Sequence, residues 1–356
     1  MKKHNFSAGP CILPQEVLNE SSQAIINFNN DNLSLIEISH RSTPFIKVIE
    51  EAKELVRELL KVPQEYSILF LQGGASLEFL MAPYNLLSIN GKCGYINTGT
   101  WSKKAIKEAK MIGNTLVIAD SSDKNHTYIP KNIEINEDLD FVHYTSNNTI
   151  YGTQFKEYPK TNSILVCDMS SDIFSKRIDV SKFGLIYAGA QKNMGPAGTT
   201  LVIVKNSILG NTGREIPTML DYNTHIKKES MFNTPPVFPI YVSMLTLRWL
   251  KNKGGVDYIE KTNNHKAQTL YDEIDRNPLF YGIVNKDDRS NMNVTFTLNN
   301  KDLESVFDSL CNKKGLNGIK GHRSVGGYRA SLYNALPLES VEVLVKTMQD
   351  LEKNNK

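Results

Sequence analysis

One fifteen-residue stretch constrains this chain more than any other: Ile186–Thr200, IYAGAQKNMGPAGTT. An apolar run ends in Gln191 and Lys192, a small, turn-rich segment follows, and a second apolar run, TTLVIV, resumes. The pattern predicts a strand that delivers one lysine to a cleft and a return strand that pairs beside it. A lysine held at a strand end among small residues loses solvent. Its pKa falls and its amine becomes a nucleophile toward an aldehyde.

Upstream, Ser163–Ser170 reads SILVCDMS, a buried strand ending at Asp168, 24 residues before Lys192. That interval holds a strand, a connection and the next strand. A carboxylate and a lysine on neighbouring strand ends are what a pyridoxal phosphate site requires. The acid keeps the pyridine nitrogen protonated and the amine joins the aldehyde. Each residue also has a plainer reading, Asp168 as a turn or helix-cap residue and Lys192 as a surface cation.

The 356 residues, 40% hydrophobic and 22% charged, suit one large domain and a smaller one. A net charge of +3 is too mild for a nucleic-acid partner. Cys11, Cys93, Cys167 and Cys311 are scattered without a CxxC pair, which argues against disulfides and zinc and fits a reducing cytoplasm. No HxxxH or acidic cluster suggests another metal. MKKHNFSAGP has no apolar core behind its lysines, so it does not read as a signal peptide. No run of about 18 apolar residues exists, so no membrane span is expected.

In chain order, NFSAGPCILP is turn-rich, and a helix is expected from Pro14 to about Phe28. His40 and Arg41 precede a helix that Thr43 would cap, with Pro44 at its first position and Phe45, Val48, Ile49, Ala52, Val56, Leu59 and Leu60 on one face. The strand Tyr66–Gln72 runs into Gly73-Gly74-Ala75-Ser76 and a helix. Such a junction exposes backbone N–H groups at a positive helix end, a phosphate cradle, although GGAS also makes an ordinary turn. Cys93–Gly99 is a strand followed by Trp101 at a helix start, where the indole either packs in the core or stacks on a flat ring. Asn114–Asp120 and Phe141–Asn147 are further strands, the second leading to Thr149. Strands and helices alternate from Tyr66, as in an open, mostly parallel α/β sheet with helices on both faces. Ligands in such sheets gather beyond the carboxyl ends, where Ser76, Thr149, Asp168 and Lys192 all fall.

In MFNTPPVFPIYV, the prolines, Pro239 included, argue against regular structure. A helix through Leu247, Trp249 and Leu250 reaches the Gly254-Gly255 break. The domains are set at 15–257 for a large unit, and at 1–14 with 258–356 for a small α+β unit. In the latter NVTFTL and YRASLYN are strands, LESVFDSLCNKKG is a helix to Gly315, and a last helix follows Leu338. Between them GHRSVGGYR carries His322, Arg323 and Arg329. Arginines grip carboxylate or phosphate with fork geometry, and a loop with ion pairs is the alternative.

Taken together, NFSAGP, SHRS, LQGGAS, YTSNNTIYGTQ, CDMSSD, AGAQKNMGPAG, FNTPP and GHRSVGGYRAS resemble the phosphoserine aminotransferase family. These are class V, pyridoxal-phosphate-dependent enzymes of fold type I. The motifs run from residue 5 to beyond residue 330. The resemblance implies that Lys192 anchors the cofactor, Asp168 partners its ring nitrogen, Trp101 stacks on the ring and Thr149 lies near its phenolic oxygen. It implies phosphate contacts from Ala75, Ser76 and Gln191, and from Asn233 and Thr234 of the other subunit of a homodimer with shared sites. Arg329 would hold the substrate α-carboxylate. His40 and Arg41 would receive the distal anion, with His322 and Arg323 contributed by the partner. Ser76 departs from members that carry arginine there. The implied reaction is reversible transamination between glutamate and 3-phosphohydroxypyruvate, with 4-phosphohydroxythreonine (pyridoxine biosynthesis) a further substrate to consider. Rival readings are an alanine–glyoxylate-type transaminase and a non-catalytic phosphate-ligand binding protein. His40, Arg41, His322 and Arg323 speak against the former.

Overall fold

A computed structural model describes residues 2–135 and 138–355. In chain order, β1 (His4–Asn5) precedes α1 (Gln15–Ile26) and α2 (Thr43–Leu60). Then come β2 (Tyr66–Leu71), α3 (Gly74–Leu86), β3 (Lys92–Asn97), α4 (Thr100–Ile112) and β4 (Asn114–Asp120). β5 (Phe141–Thr145), β6 (Ile164–Asp168), β7 (Leu185–Gly189) and β8 (Thr200–Lys205) complete one sheet. α5 (Tyr222–Lys227), α6 (Val237–Asn252) and α7 (Gly255–Arg276) follow. Last are β9 (Phe280–Gly282), β10 (Asn293–Leu298), α8 (Glu304–Lys313), β11 (Leu316–Asn317), β12 (Tyr328–Ser331) and α9 (Leu338–Lys353).

The seven-stranded sheet has the order β2-β8-β7-β6-β5-β3-β4. β7, β6, β5, β3 and β4 pair in parallel, whereas β8 is antiparallel to both β7 and β2. The return strand expected after Lys192 is β8. Period-two alternation buries both faces. Ile186 and Ala188 join a cluster with Ile49, Val56 and Leu245, while Leu185 and Tyr187 join Phe79, Tyr95 and Phe141 on the other side. A third cluster joins Phe6 to residues between Ala267 and Leu351 around β10, α8 and α9.

Several local expectations change in the folded chain. α6 begins at Val237, so Pro239 lies inside its first turn, where backbone N–H groups have no intrahelical acceptor and proline costs little. Ser42, not Thr43, is the residue before α2, and Thr43 is its first helical residue. β3 stops at Asn97 because the N–H groups of Thr98 and Gly99 are both taken by Ser102 Oγ, each at 3.0 Å. β12 stops at Ser331, and Leu332–Leu336 forms a turn rather than continuing the strand.

Candidate active site

The carboxyl ends of β2, β5, β6 and β7 open on a cleft of about 490 Å3. Gly73–Ser76 follow β2, Thr149 follows β5, and Asp168 and Ser170 close β6. Gln191 and Lys192 leave β7, and Trp101 approaches from α4. Gly73 makes the β2–α3 turn possible. Its φ is +89°, and a Cβ there would lie 2.5 Å from that of Leu77. It precedes α3 without a side-chain cap, so the helix offers its own first N–H groups to the cleft. Gly189 meets a second steric demand, since a Cβ there would lie 2.8 Å from the Gln191 amide oxygen.

Asp168 is 4% exposed, and one of its oxygens accepts the Ser170 N–H at 2.9 Å. Burial raises its pKa, and the Lys192 cation opposes the rise. Burial likewise lowers the pKa of the Lys192 amine; Asp168 works against that shift and Arg329 adds to it. Each charge thus opposes the shift that burial imposes on the other. Lys192 Nζ lies 5.6 Å from the Trp101 ring centroid, and Trp101 Nε1 donates to Thr149 Oγ1 at 2.9 Å. Arg329 donates through Nη1 to the Thr149 carbonyl at 3.1 Å, while its buried Nε has no partner.

Ala75, Ser76, Trp101, Thr149, Asp168, Gln191, Lys192 and Arg329 therefore line one cavity. His322 lines it too, from its own chain, although it had been expected from a partner. The loop before β12 folds back through Gly321 N to Gly327 O, 2.8 Å, and brings that histidine over the cleft. Burial, Arg329 and Arg323 lower the His322 pKa. Arg323 is exposed and does not line the cavity. Neither do His40 and Arg41; His40 keeps a buried Nε2 without a partner. Asn233 and Thr234 sit elsewhere, where the Thr234 carbonyl accepts from Gln72 Nε2 at 2.9 Å.

The sequence reading missed Ala8, Gly9 and Ser170. Ala8 and Gly9 reach the cleft because Cys11 N donates to Gln191 O at 3.1 Å and Cys11 Sγ donates to Lys192 O. No local signal marks that contact. Ser170 could have been found, because a serine two residues after a strand-end aspartate is placed to offer its N–H to that carboxylate.

The family model for class-V aminotransferases matches residues 3–344. The chain belongs to the class-V aminotransferases. Within that class, a phosphoserine aminotransferase of Flavobacterium psychrophilum is 65% identical over 353 residues, 99% of each chain. A solved phosphoserine aminotransferase of Bacillus circulans subsp. alkalophilus superposes with a TM-score of 0.96 at 43% identity, covering 100% of this chain and 99% of that one. The PLP-bound phosphoserine aminotransferase of Trichomonas vaginalis gives 0.93 at 37% identity, covering 98% and 100%. This class-V chain carries the donor set such a cofactor needs. It has uncapped helix N–H groups for a phosphate, a buried carboxylate, a desolvated amine and an aromatic face, all on one cavity.

Proposed function

We propose that this chain is a phosphoserine aminotransferase. It transfers the amino group of L-glutamate to 3-phosphohydroxypyruvate, reversibly, giving O-phospho-L-serine and 2-oxoglutarate, with pyridoxal 5'-phosphate as cofactor. The observation that carries the reading is the Asp168–Lys192 pair on neighbouring strand ends, each shifting the other's pKa in one cleft. When bound, the cofactor supplies an aldehyde for the amino group and an electron-withdrawing pyridine ring. Asp168 would hold a proton on the ring nitrogen. Lys192 would hold the cofactor through Nζ, and its free amine would take the proton from the substrate α-carbon. Trp101 would cover the ring face, Thr149 would serve its phenolic oxygen, and Ala75, Ser76 and Gln191 would hold the phosphate, all from the lining of one cavity.

Arg329 grips the α-carboxylate common to all four substrates and products; its unpartnered Nε supports this role. His40, Arg41, His322 and Arg323 receive the distal anion. His40 and Arg41 lie away from their own cleft, which suits contribution across a two-fold dimer, as does the separate position of Asn233 and Thr234. The same reading divides the chain at 15–257 and at 1–14 with 258–356. The apolar cluster joining Phe6 to residues beyond Ala267 supports that division. Among the described residues no helix is long and apolar enough to cross a membrane, and we place the enzyme in the cytoplasm.

The test is direct. Purified protein is scanned for the visible absorption of a lysine-bound cofactor, then given phosphoserine and 2-oxoglutarate. A yellow protein that forms glutamate is expected. A colourless protein that binds phosphorylated ligands without turnover would leave only a binding scaffold.

A further inference from the structure

α7 carries a lysine that solvent does not reach. Lys266 is 0% exposed, and its Nζ donates to three backbone carbonyls: Leu332 at 2.9 Å, Tyr333 at 2.8 Å and Leu336 at 3.1 Å. An ammonium has three donors and no acceptor, so all three are used. Burial lowers its pKa to about 7, and no carboxylate pairs with it among the described residues. A buried cation without a counter-charge is costly, and an unbranched apolar side chain would fill the same space without that cost. What the amino group adds is a fixed shape for the Leu332–Leu336 turn, because one nitrogen is the common donor to all three carbonyl oxygens.

That turn touches the cleft from behind. The Tyr333 hydroxyl donates to the Ala8 carbonyl at 2.8 Å. The Asn334 N–H donates at 3.0 Å to Oδ1 of Asn193, the residue after Lys192. Asn263 lies three residues before Lys266 on the same face of α7 and donates to Asn334 Oδ1 at 2.8 Å. Asn334 Nδ2 reaches the Phe174 carbonyl at 3.0 Å. On its other side the turn is the direct continuation of β12, the strand that bears Arg329. Lys192 and Arg329 are therefore joined through a single turn, and that turn is wound around Lys266.

We propose that Lys266 is a positioning residue whose three carbonyl bonds hold Arg329 and Lys192 at the separation that a bound amino acid requires. The inference rests on the roles given above to Lys192 and Arg329. Without the cation, three buried acceptors lose their donor, the carbonyls move apart, and Asn193 and Ala8 lose the contacts that the turn supplies. A misplacement of about 1 Å between reacting groups costs on the order of 100-fold in rate.

The experiment compares holoenzyme carrying Lys266→Met with holoenzyme carrying Leu270→Ala. Leu270 is a fully buried residue of α7 in the apolar cluster around β10, α8 and α9, and its truncation loosens packing without removing a bond to the turn. Melting temperature, kcat and KM for glutamate, and the pH midpoint of the visible absorption band are measured for both and for wild type. Lys266→Met is expected to lower kcat/KM on the order of 100-fold and to move the absorption midpoint. Leu270→Ala is expected to lower only the melting temperature. Wild-type kinetics and midpoint in Lys266→Met, whatever its melting temperature, would overturn the proposal. Should that variant fail to fold, Asn193→Ala decides, since it cuts the link from the turn to the lysine loop with Lys266 in place. A moved midpoint supports the proposal, and an unmoved one rejects it. A wild-type protein with no band and no transamination would instead sink the functional reading.

Discussion

Trp101 and Thr149 share one hydrogen bond, indole Nε1 to Oγ1 at 2.9 Å, that ties the start of α4 to the loop after β5. The bond sets the tilt of the indole, above which Lys192 Nζ stands 5.6 Å from the ring centroid. It also occupies a hydroxyl that faces the same cavity. Ring stacking and hydroxyl placement are thus coupled. Trp101→Phe keeps a flat apolar ring but removes the donor, at about 1 kcal/mol. Trp101→Phe and Thr149→Ala are expected to weaken cofactor binding less together than the sum of their separate effects. Cofactor dissociation constants of the four proteins in this cycle check it, and full additivity would uncouple the two residues.

Lys192→Ala is expected to fold normally and to lose about 100- to 10,000-fold in turnover from proton transfer alone. Asp168→Asn replaces the buried carboxylate by an amide that cannot balance a ring cation, and should cost far more than any surface charge change. Steady-state transamination with matched circular dichroism tests both. Near-normal turnover in either would remove that residue from the chemistry.

Arg329→Leu is expected to weaken glutamate and phosphoserine alike, because both carry an α-carboxylate. Removing one partner of a buried charge pair costs about 2–5 kcal/mol. His322→Ala should instead weaken phosphoserine more than alanine. Half-reaction kinetics with the three amino acids separate the two roles, and equal losses for phosphoserine and alanine in His322→Ala would contradict a distal-anion contact.

Glu78 on α3 is fully buried, and its Oε2 accepts the Tyr222 hydroxyl at 2.6 Å. Burial pushes its carboxyl from the ordinary 4.5 up to about 8, so it is neutral at pH 7. The folded chain therefore binds more protons here than the unfolded chain between about pH 4.5 and 8, and stability falls with rising pH across that window. Glu78→Gln cannot ionise and should flatten that descending limb. Chemical denaturation at a series of pH values would show it, and a variant with the wild-type slope would place the carboxylate's ionisation elsewhere.

Assembly offers the last test. Asn233 and Thr234 sit outside their own cleft, in a segment ending in Pro235 and Pro236. One inactive variant is made at Lys192 and another at Asn233 and Thr234, and the two are unfolded and refolded as an equal mixture. If the segment completes the neighbour's site, a mixed dimer has one site with both lesions and one with none. Random pairing makes about half the dimers mixed, so about a quarter of wild-type activity should return. Mixed dimers that stay as inactive as their parents would refute the shared site.

How much of this was legible in the sequence follows from the range of the forces involved. The strands at Asn114–Asp120 and Asn293–Leu298 were readable to the residue, because apolar runs bounded by turn residues are local signals. The strand-end positions of Asp168 and Lys192 were readable for the same reason. Composition and motif spacing also determined an α/β sheet with its chemistry on one edge. The start of α6 was misread because proline's cost depends on whether its N–H has an acceptor, and that depends on where the helix begins.

Tertiary structure alone decided the rest. The β8 strand lies between β2 and β7, which places the Gly73–Ser76 turn and the Lys192 loop on one cleft although more than a hundred residues separate them. Ala8 and Gly9 join that cleft through Cys11, and Lys266 organises a turn 66 to 70 residues away. Such contacts exist only when the whole chain buries its apolar faces together. A hydrogen bond between residues so far apart does not repay the entropy of closing the loop by itself, so it follows the fold and leaves no periodic mark in the sequence.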